Sequence, residues 1–172
     1  MKNCLFCLCL LFGIIGSMHG QGIKSVKIGN QVWMAENMKI PVPGSWCYND
    51  DPAMGNKYGR LYTWDAAKNV CPKGWRLPTE KDWDQLISFL GGEDIAGSKM
   101  KVGGSSGLNV LLGGMTSVGN FRLINSYGTF WCATSYDAEH AWYFYVTSSG
   151  PNITKTYFTK NYGFSVRCIK EN

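Results

Sequence analysis

Beyond residue 20 this chain has a single histidine, His140, and it stands close to Ser135 and Asp137. Nucleophilic hydrolysis needs a base, most often His, beside a Ser or Cys and oriented by a third group. The three residue types are present, but their spacing matches no nucleophile motif and the stretch reads as a loop between two strands. His140 is therefore read as a solvated loop histidine, and no catalytic residue is assigned. Of the seven cysteines, Cys4, Cys7 and Cys9 lie in an apolar leader, which leaves Cys47, Cys71, Cys132 and Cys168. Zinc sites expect close pairs such as C-x-x-C, whereas the nearest two here are 24 positions apart. An even count in an exported chain points instead to disulfides, with three pairings open. The glycine pairs lack G-x-G-x-x-G or Walker spacing, so no phosphate cradle is expected. Aromatic rings remain: Trp46, Tyr48, Tyr58, Trp142, Tyr143 and Tyr145 fall near expected loops or strand edges. Such rings stack on sugars and supply contact area at small entropic cost, which makes these six the candidate ligand-binding residues.

The leader, residues 1–20, reads MKNCLFCLCLLFGIIGSMHG: a positive start at Lys2, an apolar stretch, then small residues at Gly16, Ser17 and Gly20. That is the pattern of a secretory signal peptide cut near Gly20. Its apolar stretch of about 12 residues falls short of the roughly 20 that span a membrane, and no further span is expected downstream. A lipid-bearing Cys should close the apolar stretch, and these three sit inside it. The 172 residues are 45% hydrophobic and 17% charged, which suits one compact domain over residues 21–172 and excludes a disordered tail or a coiled coil. A net charge of +5 comes from scattered basic residues, so neither a nucleic-acid arm nor a polybasic membrane patch is indicated.

The elements that must position these residues follow from periodicity. KSVKIGNQVWMAENM alternates around Gly29-Asn30 as a hairpin does. The stretch 41–60 is dense in turn formers and reads as a long loop. LYTWDAAKNV reads as a helix with Leu61, Trp64 and the stem of Lys68 on one face, ended by Cys71-Pro72. The clearest helix is LPTEKDWDQLISFLGG: Thr79 is the N-cap with Asp82 three positions on, Trp83, Leu86, Ile87 and Leu90 form the apolar stripe, and Gly91-Gly92 stops it. After residue 91, TFWCATS, HAWYFYVTS, KTYFTK and GFSVRCIK read as antiparallel strands between glycine-rich loops, the longest at 97–130 and 147–155. Alternation allows only half of Trp142–Tyr145 to face outward. Helices early and strands late make an α+β layout.

Taken together, QVWMAENM, WCYNDDP, KYGRLYTWDAA, CPKGWRLPTEKDW, GLNVLLGG, TFWCATS and the closing GFSVRCIK resemble the Fibrobacter succinogenes major paralogous domain, over about residues 25–170. That family is similar to the C-type-lectin fold, which also houses formylglycine-generating enzymes. The resemblance implies two helices packed on short twisted antiparallel sheets with long glycine-rich loops, and a bridge from Cys71 to Cys168. Cys47 falls in the family's WCY block and Cys132 stands where the family leads one to expect Ser; the two are the candidate second pair. Trp64, Trp75, Trp83 and Trp131 sit inside the fold-defining blocks and are expected in the core.

Two ligand chemistries follow from the same likeness. Sugar-binding C-type lectins hold calcium through six to eight oxygens, some of which Asn49, Asp50 and Asp51 could supply, yet the lectins' Glu-Pro-Asn and Trp-Asn-Asp motifs are absent here. No metal or other cofactor is assigned. Formylglycine-generating enzymes need a late cysteine pair for copper, and Cys168 is already required by the fold bridge. The expectation is a non-catalytic binding or adhesion module at the bacterial surface, exported to the periplasm, outer membrane or exterior, with a glycan or protein ligand. The alternatives are an assembly component of a surface fibre and a vestigial formylglycine-type enzyme.

Overall fold

Alternation around Gly29-Asn30 closes the expected hairpin, β1 (Ser25–Ile28) against β2 (Gln31–Met34), with Gly29 at a φ of +60° that a side chain seldom adopts. The computed structural model describes residues 22–171; the apolar leader with Cys4, Cys7 and Cys9 lies outside them. Next come β3 (Ser45–Trp46), a 3-10 turn at Tyr48–Asp50, α1 (Pro52–Tyr58), β4 (Leu61–Tyr62), α2 (Trp64–Asn69) and β5 (Trp75–Arg76). Two helices follow, α3 (Glu80–Phe89) and α4 (Glu93–Met100), then the hairpin β6 (Met115–Ser117) and β7 (Asn120–Arg122). The C-terminal part is β8 (Tyr127–Ser135), β9 (His140–Thr147), β10 (Ile153–Thr159), β11 (Tyr162–Ser165) and β12 (Ile169–Lys170). The fold is mixed α+β.

Among the described residues four α-helices stand where two were expected. The 41–60 stretch is no plain loop: Asp51 caps α1 by accepting from the Ala53 amide at 2.8 Å, and Pro52 opens the helix where a missing N–H costs nothing. Helix α2 starts later than its apolar face implied, because Thr63 caps it and Leu61 belongs to a strand. Lys68 does lie along Trp64, its Nζ 4.0 Å from the ring centroid. The expected strand GFSVRCIK is two strands in two sheets. β12 joins the small sheet β1-β2-β12-β5, whereas β11 lies in the large one, ordered β10-β9-β8-β11-β4-β3, with the β6–β7 hairpin attached at β11.

Helix α3 matches its sequence signals closely. Thr79 and Asp82 form a reciprocal capping box, and Gly92 N–H to Ile87 O with Gly91 N–H to Ser88 O closes the other end. Asp82 also takes two hydrogen bonds from Arg76, at 2.6 and 2.9 Å. Desolvation pushes its carboxyl up, but the bonds from Arg76 and Thr79 outweigh that and hold it below the usual range. Asp82→Asn should cost about 2 kcal/mol at pH 7, the low end for a cap plus charged hydrogen bonds, since Arg76 is 37% exposed and screened. A lowered folded pKa means the contribution is complete above the unfolded carboxylate pKa, about 4, and is lost as pH falls through the folded value. Urea denaturation at pH 7 and pH 3 checks this: the gap between wild type and variant should narrow at pH 3.

Two apolar clusters flank the large sheet. Trp33, Trp83, Leu86, Phe130 and Phe144 fill the space between that sheet, the small sheet and α3. Tyr62, Trp64, Trp131, Phe164 and Cys168 pack on its other face, behind α2. Trp64, Trp83 and Trp131 are thus core residues as expected, while Trp75 is half-buried. Cys71 and Cys168 are bonded, with their Cα atoms 6.0 Å apart, and join the end of α2 to the residue before β12.

The second expected bridge is absent: Cys47 and Cys132 are both free thiols. Cys47 receives a hydrogen bond from Arg60 Nη1 at 3.0 Å and packs where a Cβ on Gly55 would sit. Cys132 is buried on β8, its sulfur accepting from the Thr134 amide at 3.4 Å, and burial pushes the thiol's pKa up. A raised pKa and full burial make it an inert core side chain.

Candidate functional site

The six aromatic candidates do not form one platform. Tyr48 and Tyr58 are buried beside the 3-10 turn and α1, Tyr48 against Phe121 at 5.3 Å and Tyr58 with its hydroxyl donating to Asn125 Oδ1 at 2.7 Å. Trp46 is half-buried on the edge strand β3. Tyr143 and Tyr145 share the face of β9 that meets Trp131 and Phe158; Tyr143 is 7% exposed. Burial, then Tyr145 and Tyr127, pushes its phenol up to about 12. Trp142 alone points to the opposite face, because successive β9 side chains alternate.

That opposite face carries an aromatic cluster that includes two residues the sequence reading passed over, Tyr136 and Tyr157. Trp142 on β9 pairs directly with Tyr157 on β10. The Tyr157 ring stacks on Tyr136, with centroids 3.9 Å apart and planes 2° from parallel, and Trp142 meets both edge-on at 5.0 and 5.8 Å. His140 adds an edge contact to Tyr157 at 5.7 Å. Tyr136 and Tyr157 are 47% and 43% exposed, unusual for large rings, so the cluster presents a solvent-facing apolar surface.

The turn that holds Tyr136 is tightly bonded. Asp137 accepts from the amides of Glu139 and His140 at 2.8 and 2.7 Å and from His140 Nδ1 at 2.9 Å. Lys160 Nζ donates to the carbonyls of Asp137 and Ala138 at 2.8 and 2.9 Å. Lys155 borders the patch, bonded to Glu80 Oε1 at 2.8 Å with its Nζ 5.2 Å from the Trp142 ring. The Ser135 hydroxyl donates to the main-chain carbonyl of Asp137 at 2.7 Å, so it is engaged in the turn and not with the imidazole. His140 and Asp137 thus serve the turn's geometry. Alternation along TKTYFT could have placed Lys155 and Tyr157 on one face, but the β9–β10 register that sets Tyr157 opposite Trp142 is long-range information.

Of the calcium candidates, Asn49 and Asp50 occupy left-handed backbone with φ of +55°, and Asp51 spends its carboxylate on the α1 cap. Among the described residues there is no group of three or more His, Cys, Asp or Glu side chains placed to hold a metal ion. No helix among them is long and apolar enough to cross a membrane.

An α+β domain in which one disulfide ties the end of α2 to the C-terminal strand, with an aromatic patch at the edge of its large sheet, is the class these features define. A model of the Fibrobacter succinogenes major domain matches residues 26–170, and the chain belongs to that family. Neither the curated proteins nor the solved structures returned a match.

Proposed function

We propose that this chain is an exported, non-catalytic binding module of C-type-lectin-like fold, working in adhesion at the cell surface, whose ligand docks on Tyr136, Trp142 and Tyr157. The observation that carries the reading is the parallel, half-exposed Tyr136–Tyr157 stack, with Tyr136 on a hydrogen-bonded turn and Tyr157 on strand β10. Pre-ordered aromatic rings lose little entropy on binding and suit the C–H face of a sugar or an apolar side chain of a partner. Export agrees with a disulfide and with the absence of a membrane-spanning helix among the described residues.

The test is a broad glycan array, run with calcium and with chelator, on wild type and Tyr157→Ala. Expected is binding that survives chelation and weakens at least tenfold in the variant, a loss of about 1.4 kcal/mol, which is modest for an aromatic anchor. Chelator-sensitive binding would instead direct attention to Asn49, Asp50 and Asp51. Silence on the array would remove the glycan reading and favour assembly. That second reading rests on the seven-residue strand β10, which lies at the edge of the large sheet with β9 as its one strand partner among the described residues and α4 against its start.

A further inference from the structure

Away from the aromatic patch, two cavities of 610 and 490 Å³ adjoin at Lys57, Val102 and Leu111. Both are within the range of about 300–1,000 Å³ typical of ligand clefts. The smaller has Arg167 in its wall, a side chain 1% exposed. Arg167 Nε and Nη2 donate to Asn37 Oδ1 at 3.0 and 2.7 Å, and Nη1 donates to the carbonyls of Met34 and Leu108 at 3.0 and 2.9 Å. A guanidinium carries five N–H donors. Four are spent, and one N–H on Nη2 has no acceptor among the described residues. Among the described residues no carboxylate is hydrogen-bonded to the guanidinium: Glu36 acts on it only through space and is itself bonded to Lys24 and Lys39, and a buried charge is costly without a close counter-charge. Burial pushes its pKa down to about 9, so it stays protonated at neutral pH.

The rest of the wall repeats this imbalance. Lys24, Lys39 and Lys57 are exposed there, and Glu36 is the one carboxylate. Lys24 and Lys39 share Glu36, at 2.8 and 3.0 Å, while Lys57 lies over the Tyr58 ring at 4.8 Å. In the adjoining cavity Lys101 donates to the carbonyls of Thr147 and Gly150. Five cations face one carboxylate.

We infer that this cleft binds a carboxylate-bearing sugar, its carboxylate taken up between Lys57 and the spare N–H of Arg167. Asn56 and Asn109 line the same cavity, and their amides both donate and accept, as sugar hydroxyls require. Val102 and Leu111 offer an apolar wall to ring C–H groups. No aromatic ring lines the smaller cavity, and Tyr58 in the wall of the larger is only 6% exposed, which disfavours a stacked nucleobase. The edge strand β1 begins at Ser25, next to Lys24 at the rim, so an acidic peptide is the rival that the titration must separate from a sugar. The cleft lining shares no residue with Tyr136, Trp142 or Tyr157, so this inference and the aromatic reading fail independently.

Calorimetric titration of the purified protein tests it, with tetragalacturonate and its methyl ester, 3′-sialyllactose and lactose, and hexaglutamate as ligands. At least one acidic sugar should bind about tenfold or more tightly than its uncharged counterpart, and the preference should fade in high salt. Lys57→Glu, at an exposed residue with no ion pair, should weaken that binding about fivefold or more, and Glu36→Gln should strengthen it. A gain in Glu36→Gln cannot arise from misfolding. Equal affinity for acid and ester, no acidic sugar bound, binding indifferent to Lys57→Glu, or hexaglutamate bound in place of the sugars would each overturn the inference.

Discussion

Replacing Cys71 and Cys168 together by Ala should lower the unfolding free energy by about 4 kcal/mol. The bridge closes a loop of 97 residues, and constraining a loop of that length in the unfolded chain is worth roughly 4–5 kcal/mol by the chain-entropy argument. Alanine is chosen because Cys168 is fully buried, and a serine hydroxyl there would add an unsatisfied polar group to the loss. At roughly 2–4 °C per kcal/mol for a domain of this size, the melting temperature should fall by about 10–15 °C. Reductant should produce the same fall in wild type and none in the double variant, since Cys47 and Cys132 are already free. The place of the bridge adds a second expectation. It holds Cys168 immediately before the two-residue strand β12, which sits between β2 and β5 and so completes the small sheet. Without it, hydrogen exchange should accelerate first in β5 and β12. A loss under about 1 kcal/mol would mean that the small sheet keeps the end in place unaided.

What could be read from the residues divides along the line between local and long-range information. Helix α3 was legible because its cap, stripe and stop all lie within one stretch, Thr79 to Gly92, and each acts on its neighbours. The β1–β2 hairpin was legible for the same reason. Helix α1 was hidden by its own glycine: Gly55 reads as loop, yet a side chain there would run into Cys47. Helix α4 was hidden likewise, since Gly97 lets the helix lie against the carbonyl of Asn152. The break of GFSVRCIK into two sheets follows from which strands lie alongside it, and nothing within the eight residues encodes that. The aromatic patch shows the same limit. Its residue types were visible, and Trp142 was among the candidates, but the stack depends on β10 pairing Tyr157 with Trp142 and on a turn that brings Tyr136 over both. The four cysteines were visible too. One bridge followed from likeness to a family, while the other pair failed because each sulfur is enclosed by its own surroundings, Cys47 by Gly55 and Arg60 and Cys132 by β8's core contacts.

Trp83→Ala should be the most damaging single substitution in the α3 core, at about 3–5 kcal/mol, whereas Trp83→Phe should cost under about 2 kcal/mol. The indole is fully buried and lies 4.9 Å from Trp33, 5.0 Å from Phe144 and 5.9 Å from Phe130, so it is the contact through which α3, the small sheet and the large sheet share one core. Removing it leaves a cavity that these rings, each fixed on a different element, can refill only in part. The same side chain carries a liability: its Nε1–H is buried with no acceptor among the described residues. Phenylalanine keeps much of the ring contact and removes that orphan donor, and relief of an unsatisfied donor, worth about 1–3 kcal/mol, offsets part of the lost volume. Paired urea titrations of the two variants decide the matter. Should Trp83→Phe cost as much as Trp83→Ala, the N–H has an acceptor, in all physical terms a buried water, and the core is polar at its centre. A small cost for Phe would show that the centre is dry and that ring packing, not a polar contact, is what Trp83 contributes there. Trp142 packs against this same core from the patch side, so the order of the aromatic patch rests on that packing.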